Sequence, residues 1–340
     1  MIQFKKYSSI ENTFDKDFVK QIFDEKLDLQ DYVVQEKVHG SNVCLVTDGK
    51  TVSFGKRTGF VEEGEKFYGY EELLERYAPK VISLFSAVKE RHAGIRSLSV
   101  FGEMFGGKYP HPDVKNDSKT MVIQKGVYYC PNHEFYAFDL YVTTEDSGRF
   151  LTVDEANMFF EKAEFLYAKT LFRGTLDKCL KYPNDAPSQI SAWLGLPPME
   201  DNICEGVVIR PVAPTYLSNG SRVLLKNKNA RFAEKKSVKK RTPKLFKEPS
   251  YSEELNSLLP VVEQYVTENR LNNVISKIGH VSLPKDIGKL IGLFSRDILE
   301  DFLKEHSGEY AAIEKSEQKI LNRHANLLAT NLIKAFMQVR

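Results

Sequence analysis

At 340 residues the chain is too long for one small hydrophobic core and about the right length for two domains. Hydrophobic residues make up 42% and charged residues 28%, so most of it is expected to be globular and soluble. A net charge of +2 hides an asymmetry: from Arg222 to Lys247 there are eleven Lys or Arg and a single acid, Glu234. That run fits a solvated linker and equally a track for nucleic-acid phosphates, and one segment can be both. Apolar runs such as "LIGLF" at 290–294 fall far short of a membrane span, and "MIQFKKYSSIENTF" lacks an apolar core region. Neither a membrane segment nor a secretory signal is therefore expected. Cys44, Cys130, Cys179 and Cys204 are widely spaced with no C-x-x-C pair, which points to reduced intracellular thiols and favours neither a disulfide framework nor a zinc site.

In chain order, "YVVQEKV" (32–38) and "NVCLV" (42–46) read as strands, "DGK" as a hairpin turn and "TVSFGKR" (51–57) as its return strand. "YEELLERYAPKVISLFSAVKERH" has apolar residues at helical spacing. "SLSVFGE" (97–103), "EFYAFDLYV" (134–142), "EGVVIRP" (205–211) and "RVLLKNK" (222–228) are further strands. This mixture predicts an α+β domain with antiparallel sheets over residues 1–240, then a basic linker over 241–251. From 252 to 340 the texture is helical: "EELNSLLPVVEQYVTENRLNNVISKIG", "PKDIGKLIGLFSRDILEDFLKEH", and a last segment with Ile320, Leu327, Leu328, Leu332 and Ile333 at near-helical intervals.

The candidate chemistry begins with Lys37 in "EKVHGSN". A free lysine is almost wholly protonated at pH 7, so a nucleophilic one needs burial or neighbouring cations. Lys226 and Lys228 in "LLKNK" lie two apart and share a strand face, where they can hold a phosphate; the same pattern also suits the charged outer face of an edge strand. Glu103, Asp139 and Glu205 sit in or beside apolar strands, where an acid must be paired, hydrogen-bonded or metal-bound. One such acid is usually structural; three from different strands look like a polar pocket, with oxygen ligands that suit Mg²⁺. Phe138 alternates with Tyr136 and Leu140 as a core residue would, and can also serve as a stacking platform. Arg57 ends a hairpin that can return it toward Lys37, or it is a turn-edge arginine.

Taken in order, "EKVHGSN", "KRTG", "VFGE", "AFDL", "EGVVIR" and "LLKNK" resemble the motif set of the covalent nucleotidyltransferases, the superfamily of ATP ligases and mRNA capping enzymes. The Lys-x-His-Gly-x-Asn form resembles one branch, the RNA ligase 2 family of bacteriophage double-strand RNA ligases and kinetoplastid RNA-editing ligases. "FKKYSSIEN", "PTYLSNGSRVLLKNKNARFAEKK" and "RLNNVISKIG" look like the phage enzymes, and "FGGKYPHPDV" and "YYCPNHEFYAFDLYV" like the editing ligases. DNA ligases and capping enzymes continue into a β-rich OB domain, which the helical pattern after residue 252 does not match.

The resemblance implies an ATP- and Mg²⁺-dependent RNA ligase that seals 5′-phosphate and 3′-hydroxyl ends, at nicks in duplex RNA or across a bridging strand, with no protein partner required. It assigns Lys37 as the residue that becomes lysyl-AMP. It assigns Glu36 and Val38 to adenine, Phe138 to stacking, Arg57 and Glu103 to the ribose region, Lys226 and Lys228 to the α-phosphate, and Glu205 to the metal. His39 and Asn42 fall near the phosphate and the reacting ends, Gly40 where the backbone makes room for the nucleotide, and Arg270 and Asp297 in helical segments that engage RNA, where both also fit plain helix-surface charges. Arg210 departs from the lysine expected in the phage enzymes, and residues 115–126 look like an insertion.

Overall fold

The structure is a computed structural model that describes residues 2–233, 251–279, 281 and 286–338. The chain divides into two compact units, Met1–Arg231 and Phe232–Arg340. The first contains β1 (Glu11–Asn12), α1 (Lys16–Asp24), β2 (Tyr32–Lys37), β3 (Ser41–Thr47), β4 (Val52–Lys56), β5 (Gly59–Phe60), α2 (Tyr70–Arg91), β6 (Ser97–Gly106), β7 (His133–Thr143), β8 (Gly148–Phe150), α3 (Val153–Lys162), β9 (Thr170–Gly174), α4 (Leu176–Leu180), α5 (Ile190–Trp193), β10 (Gly206–Pro211) and β11 (Leu225–Lys228).

Among the described residues these strands make a five-stranded sheet, β1-β11-β10-β2-β9, and a six-stranded sheet, β5-β4-β3-β6-β7-β8. Every neighbour pair is antiparallel except β1 with β11. Period-two alternation sorts the six-stranded sheet. Val43 and Leu45 enter the core that α2 and α3 cover, while Cys44 and Val46 face a second cluster with Tyr7, Phe101, Phe150 and Leu224. The α2 residues Leu73, Tyr77, Val81, Leu84 and Val88 supply the matching helical stripe.

The five-stranded sheet is sorted by register. Tyr32, Val34, Val207, Ile209 and Leu225 pack with Ile22 of α1 and with Leu176 and Cys179 of α4. The opposite face carries Val33, Gln35 and Lys37 of β2, opposite Arg210, Val208 and Gly206 of β10, with Lys226 opposite Val208 and Lys228 opposite Gly206. β11 is not an edge strand, because β1 pairs along Leu225 and Lys226.

Phe138 corrects the simple alternation. Phe101 pairs with Asp139 and Gly102 with Ala137, so Phe138 is the extra residue of a β-bulge. Ala137 and Leu140 remain in the main core, while Phe138 packs with Tyr7 in the second cluster.

The second unit holds α6 (Glu253–Gln264), α7 (Glu268–Ile278), α8 (Ile287–Ala312) and α9 (Lys315–Gln338). The stretch 253–278 is two helices rather than one, because the Thr267 side chain accepts the Arg270 N–H and starts α7 afresh. On α9 the buried face is Leu321, Ala325, Ala329 and Ile333 at four-residue steps, and Leu327 of the predicted stripe is 58% exposed. The expected linker 241–251, apart from Tyr251, and the basic run beyond Ala233 lie outside the described residues. Among those residues no helix is long and apolar enough to cross a membrane.

Candidate active site

Lys37 is the last residue of β2 and Gly206 the first of β10, and the two are register partners; Lys228, the last residue of β11, also pairs with Gly206. Three strand ends therefore converge on Glu205. An added Cβ at Gly206 would run into the Asn227 carbonyl oxygen, and its φ of +147° lies in the region that favours glycine. The strands can thus close around Glu205 only with glycine there. The Glu205 carboxylate lies 2.7 Å from Lys37 Nζ, 2.9 Å from Lys228 Nζ and 3.5 Å from His39 Nδ1. Its side chain is 1% exposed against 17% for Lys37, so the acid is enclosed while the lysine keeps some contact with solvent. Burial works to raise the Glu205 carboxyl, but Lys228, Lys37 and His39 outweigh it and hold it well below the usual carboxylate range. The group is an anion.

The residues after Lys37 are gripped from the six-stranded sheet. Asn42 is the register partner of Glu103. Glu103 accepts the Gly40 N–H, and burial, opposed chiefly by Lys37, pushes its carboxyl up to about 7. An added Cβ at Gly40 would strike the Met104 carbonyl oxygen. The space at Gly40 is thus taken by β6, which corrects the expectation that glycine leaves room for a nucleotide there. Arg57 follows β4 in the six-stranded sheet, so it does not share a hairpin with Lys37. Instead Arg57 is partly buried and coupled electrostatically to Glu103, whose own charge couples to Lys37.

Asp139 leaves the predicted acid group. It is fully buried and paired with Arg210 at 3.1 Å and Arg222 at 2.7 Å, and it accepts the Tyr7 hydroxyl at 2.9 Å. Burial alone would raise its carboxyl, but the two guanidiniums draw it below the ordinary value. Arg210 also donates to the Phe138 carbonyl at 3.1 Å. The arginine that stands out from the phage pattern is thus a tie from β10 to β7 that fixes the bulge. Nothing in the sequence spacing marks these partners, since Asp139 is 71 residues from Arg210 and 83 from Arg222.

Glu36 and Val38 flank Lys37 and are buried. The Glu36 carboxylate accepts the Ser188 hydroxyl at 2.6 Å and the Gln189 N–H at 2.9 Å, and its carbonyl accepts the Tyr136 hydroxyl at 3.3 Å. Burial pushes the Glu36 carboxyl up to about 7 despite those donors. The Glu36 side chain is therefore committed to the segment before α5. Lys226 shares the Lys37 face of the sheet.

In the helical unit the expectation for Arg270 is corrected. It is 2% exposed and bridges Asp297 at 2.9 Å and Asp301 at 2.7 Å, with Lys277 on the other Asp297 oxygen at 2.9 Å. The buried guanidinium thus ties α7 to α8 through two carboxylates that are themselves partly exposed.

A domain of antiparallel sheets with a lysine at a strand end, held against a buried acid between further cations, is a nucleotidyltransferase domain. Residues 30–228 match the family model described as RNA ligase, and residues 249–328 match that described as T4 RNA ligase 2 C-terminal. The chain belongs to the RNA ligase family and is an RNA ligase of the RNA ligase 2 type within the nucleotidyltransferase superfamily. It is 31% identical to mitochondrial RNA-editing ligase 1 of Trypanosoma brucei brucei, covering 81% of this chain and 71% of that one. To mitochondrial RNA-editing ligase 2 of the same organism it is 27% identical, covering 89% and 84%. Among solved structures it is similar to a Naegleria gruberi RNA ligase variant with ATP and Mn, at 16% identity and a TM-score of 0.45, covering 68% of this chain and 59% of that one. The match thus spans less than two thirds of that solved chain.

Proposed function

We propose that this RNA ligase uses ATP and joins a 5′-phosphate to a 3′-hydroxyl through a lysyl-AMP on Lys37, at nicks in duplex RNA or at ends held by a bridging strand. The observation that carries the reading is the Lys37–Glu205–Lys228–His39 cluster at three converging strand ends. The neutral Lys37 amine attacks the α-phosphorus. A P–N bond forms, the bond to the bridging oxygen breaks, and pyrophosphate leaves. Glu205, held as an anion, orients the amine, which gives up a proton to water as the P–N bond forms. AMP then moves to the RNA 5′-phosphate, and the 3′-hydroxyl displaces it to form the phosphodiester.

The remaining residues bind and position. Lys226 and Lys228 take the α-phosphate charge, Phe138 stacks on the adenine, and Arg57 with Glu103 holds the ribose. Glu36 and Val38 border the adenine through backbone groups, while His39 and Asn42 stand beside the phosphate and the reacting ends. No group of three or more metal-binding side chains occurs among the described residues. We assign Glu205 as the protein ligand of Mg²⁺, an ion usually held by one or two carboxylates, waters and substrate phosphates. When bound, the metal neutralises triphosphate charge. We assign residues 1–240 to nucleotidyl transfer, 241–251 to a basic linker and 252–340 to the steps that engage RNA ends.

The test is intact-mass and peptide mass spectrometry after incubation with ATP and Mg²⁺, with GTP in parallel. An AMP adduct on Lys37 that disappears in Lys37→Ala is expected, followed by sealing of nicked duplex RNA. No adduct, or one on another residue, overturns the mechanism. Sealing of unbridged single strands at an equal rate overturns the substrate preference.

A further inference from the structure

Residues 107–132 connect β6 to β7 and lie between the motifs "VFGE" and "AFDL". Their far end packs against the loop that follows Lys37. The Tyr129 hydroxyl accepts the His39 N–H at 2.9 Å, and the Gln124 side chain reaches the Gly40 carbonyl at 3.4 Å. Tyr129 is 2% exposed, and its ring packs edge-on to Phe105 at 5.1 Å. Its phenol is close enough to Glu36 and Glu205 that, with burial leading, its titration is driven well above the ordinary range, so it is a neutral hydrogen-bonding group. Tyr129 is itself held in place. The Asn202 side-chain amide donates to the Tyr128 carbonyl at 2.6 Å and accepts the Tyr128 N–H at 2.9 Å. Asn202 stands three residues before Glu205. One path thus runs from Asn202 through the Tyr128 backbone and the Tyr129 hydroxyl to the His39 backbone, and from the His39 ring back to Glu205.

We propose that Tyr129 is a positioning residue for lysine adenylylation. By fixing the His39 peptide it sets the imidazole against Glu205, and through that contact the Glu205 ion pair holds Lys37. The geometry favours this role because the loop from Val38 to Gly40 is outside regular strand pairing, so its orientation depends on side-chain clamps such as this one. Phenylalanine at position 129 fills the same space and leaves the His39 N–H without its acceptor. This inference rests on the lysyl-AMP reading.

The experiment measures single-turnover formation of the Lys37 adduct for the wild type, Tyr129→Phe, His39→Ala and the double variant, across a range of ATP concentrations. Tyr129→Phe is expected to slow the step about tenfold with KM for ATP changed by less than about twofold. The double variant is expected to be no slower than His39→Ala alone, because both act through one residue. Asn202→Ala, which loosens Tyr129 without altering its ring, is expected to slow the step in the same sense by a smaller factor, and it stands in should Tyr129→Phe not fold. A wild-type rate in Tyr129→Phe, or multiplicative losses in the double variant, overturns the inference. A missing adduct in the wild type overturns the lysyl-AMP reading instead, so the two failures are distinct.

Discussion

Lys37 and Glu205 are 168 residues apart in the chain and 2.7 Å apart in space. Their meeting is a matter of register: Gly206 pairs with Lys37 on one side and Lys228 on the other, so Glu205 is delivered to both lysines by the same strand end. Replacing Glu205 by glutamine leaves Lys37, Lys228 and His39 around an uncharged amide. Adduct formation is expected to fall by about a hundredfold or more. A single-turnover rate within twofold of wild type would remove Glu205 from the reaction.

Gly40→Ala places a methyl group on the Met104 carbonyl, and backbone on both sides resists movement. The variant is expected to keep the sheet fold, by circular dichroism, and to lose lysine adenylylation, because the loop that follows Lys37 is displaced from β6. Full activity in this variant would show that the loop adjusts freely.

Glu103 and Glu36 bind protons in the folded protein that the unfolded chain has already released. Each has a carboxyl raised from 4.5 to about 7, equivalent to roughly 3 kcal/mol of linked free energy. Stability from these two groups therefore declines as pH rises through that window. Asp139 and Glu205 act in the opposite sense: their contribution is present above the ordinary carboxylate range and lost as pH falls through their lowered values. Glu103→Gln is expected to shrink the fall in Tm between about pH 5 and about pH 8. An unchanged Tm difference between those conditions would contradict the assignment.

Arg270→Ala removes the guanidinium shared by Asp297 and Asp301, which keep Lys277 and Lys304 as partners. A loss of about 1–3 kcal/mol in the stability of the α7–α8 contact is expected, read as faster hydrogen exchange in those helices. Adenylylation of Lys37 should be unaffected. If the variant were as stable as wild type and only RNA affinity fell, the bundle role of Arg270 would be wrong.

Local periodicity made most strands and helices legible, because "NVCLV" and "YEELLERYAPKVISLF" record in their spacing which face is buried. Lys37, Glu205 and Lys228 were legible as chemical types, and the structure brings those three together. The hairpin route expected for Arg57, the grouping of Asp139 and the surroundings of Arg270 were not legible, for a common reason. Their partners are set by tertiary packing at long sequence separation, which strand alternation and hairpin geometry do not encode. The bulge at Phe138 inverted one alternation, and only the neighbouring strand reveals it. Tyr129 falls within "YYCPNHEFYAFDLYV", but its contact with the His39 backbone gave no signal, since an aromatic residue in a non-periodic connection looks like any loop residue.

β2 leaves the ribosome early, yet both its neighbours, β9 at 170–174 and β10 at 206–211, are made far later. Its apolar run waits for more than 130 further residues before any hydrogen-bonding partner exists. Such long-range pairing folds slowly and leaves a sticky strand uncovered during synthesis. The strand that carries Lys37, interior in the finished sheet, is thus among the last pieces of the first unit to be secured. A nascent chain stopped short of residue 211 has the lysine but no site around it.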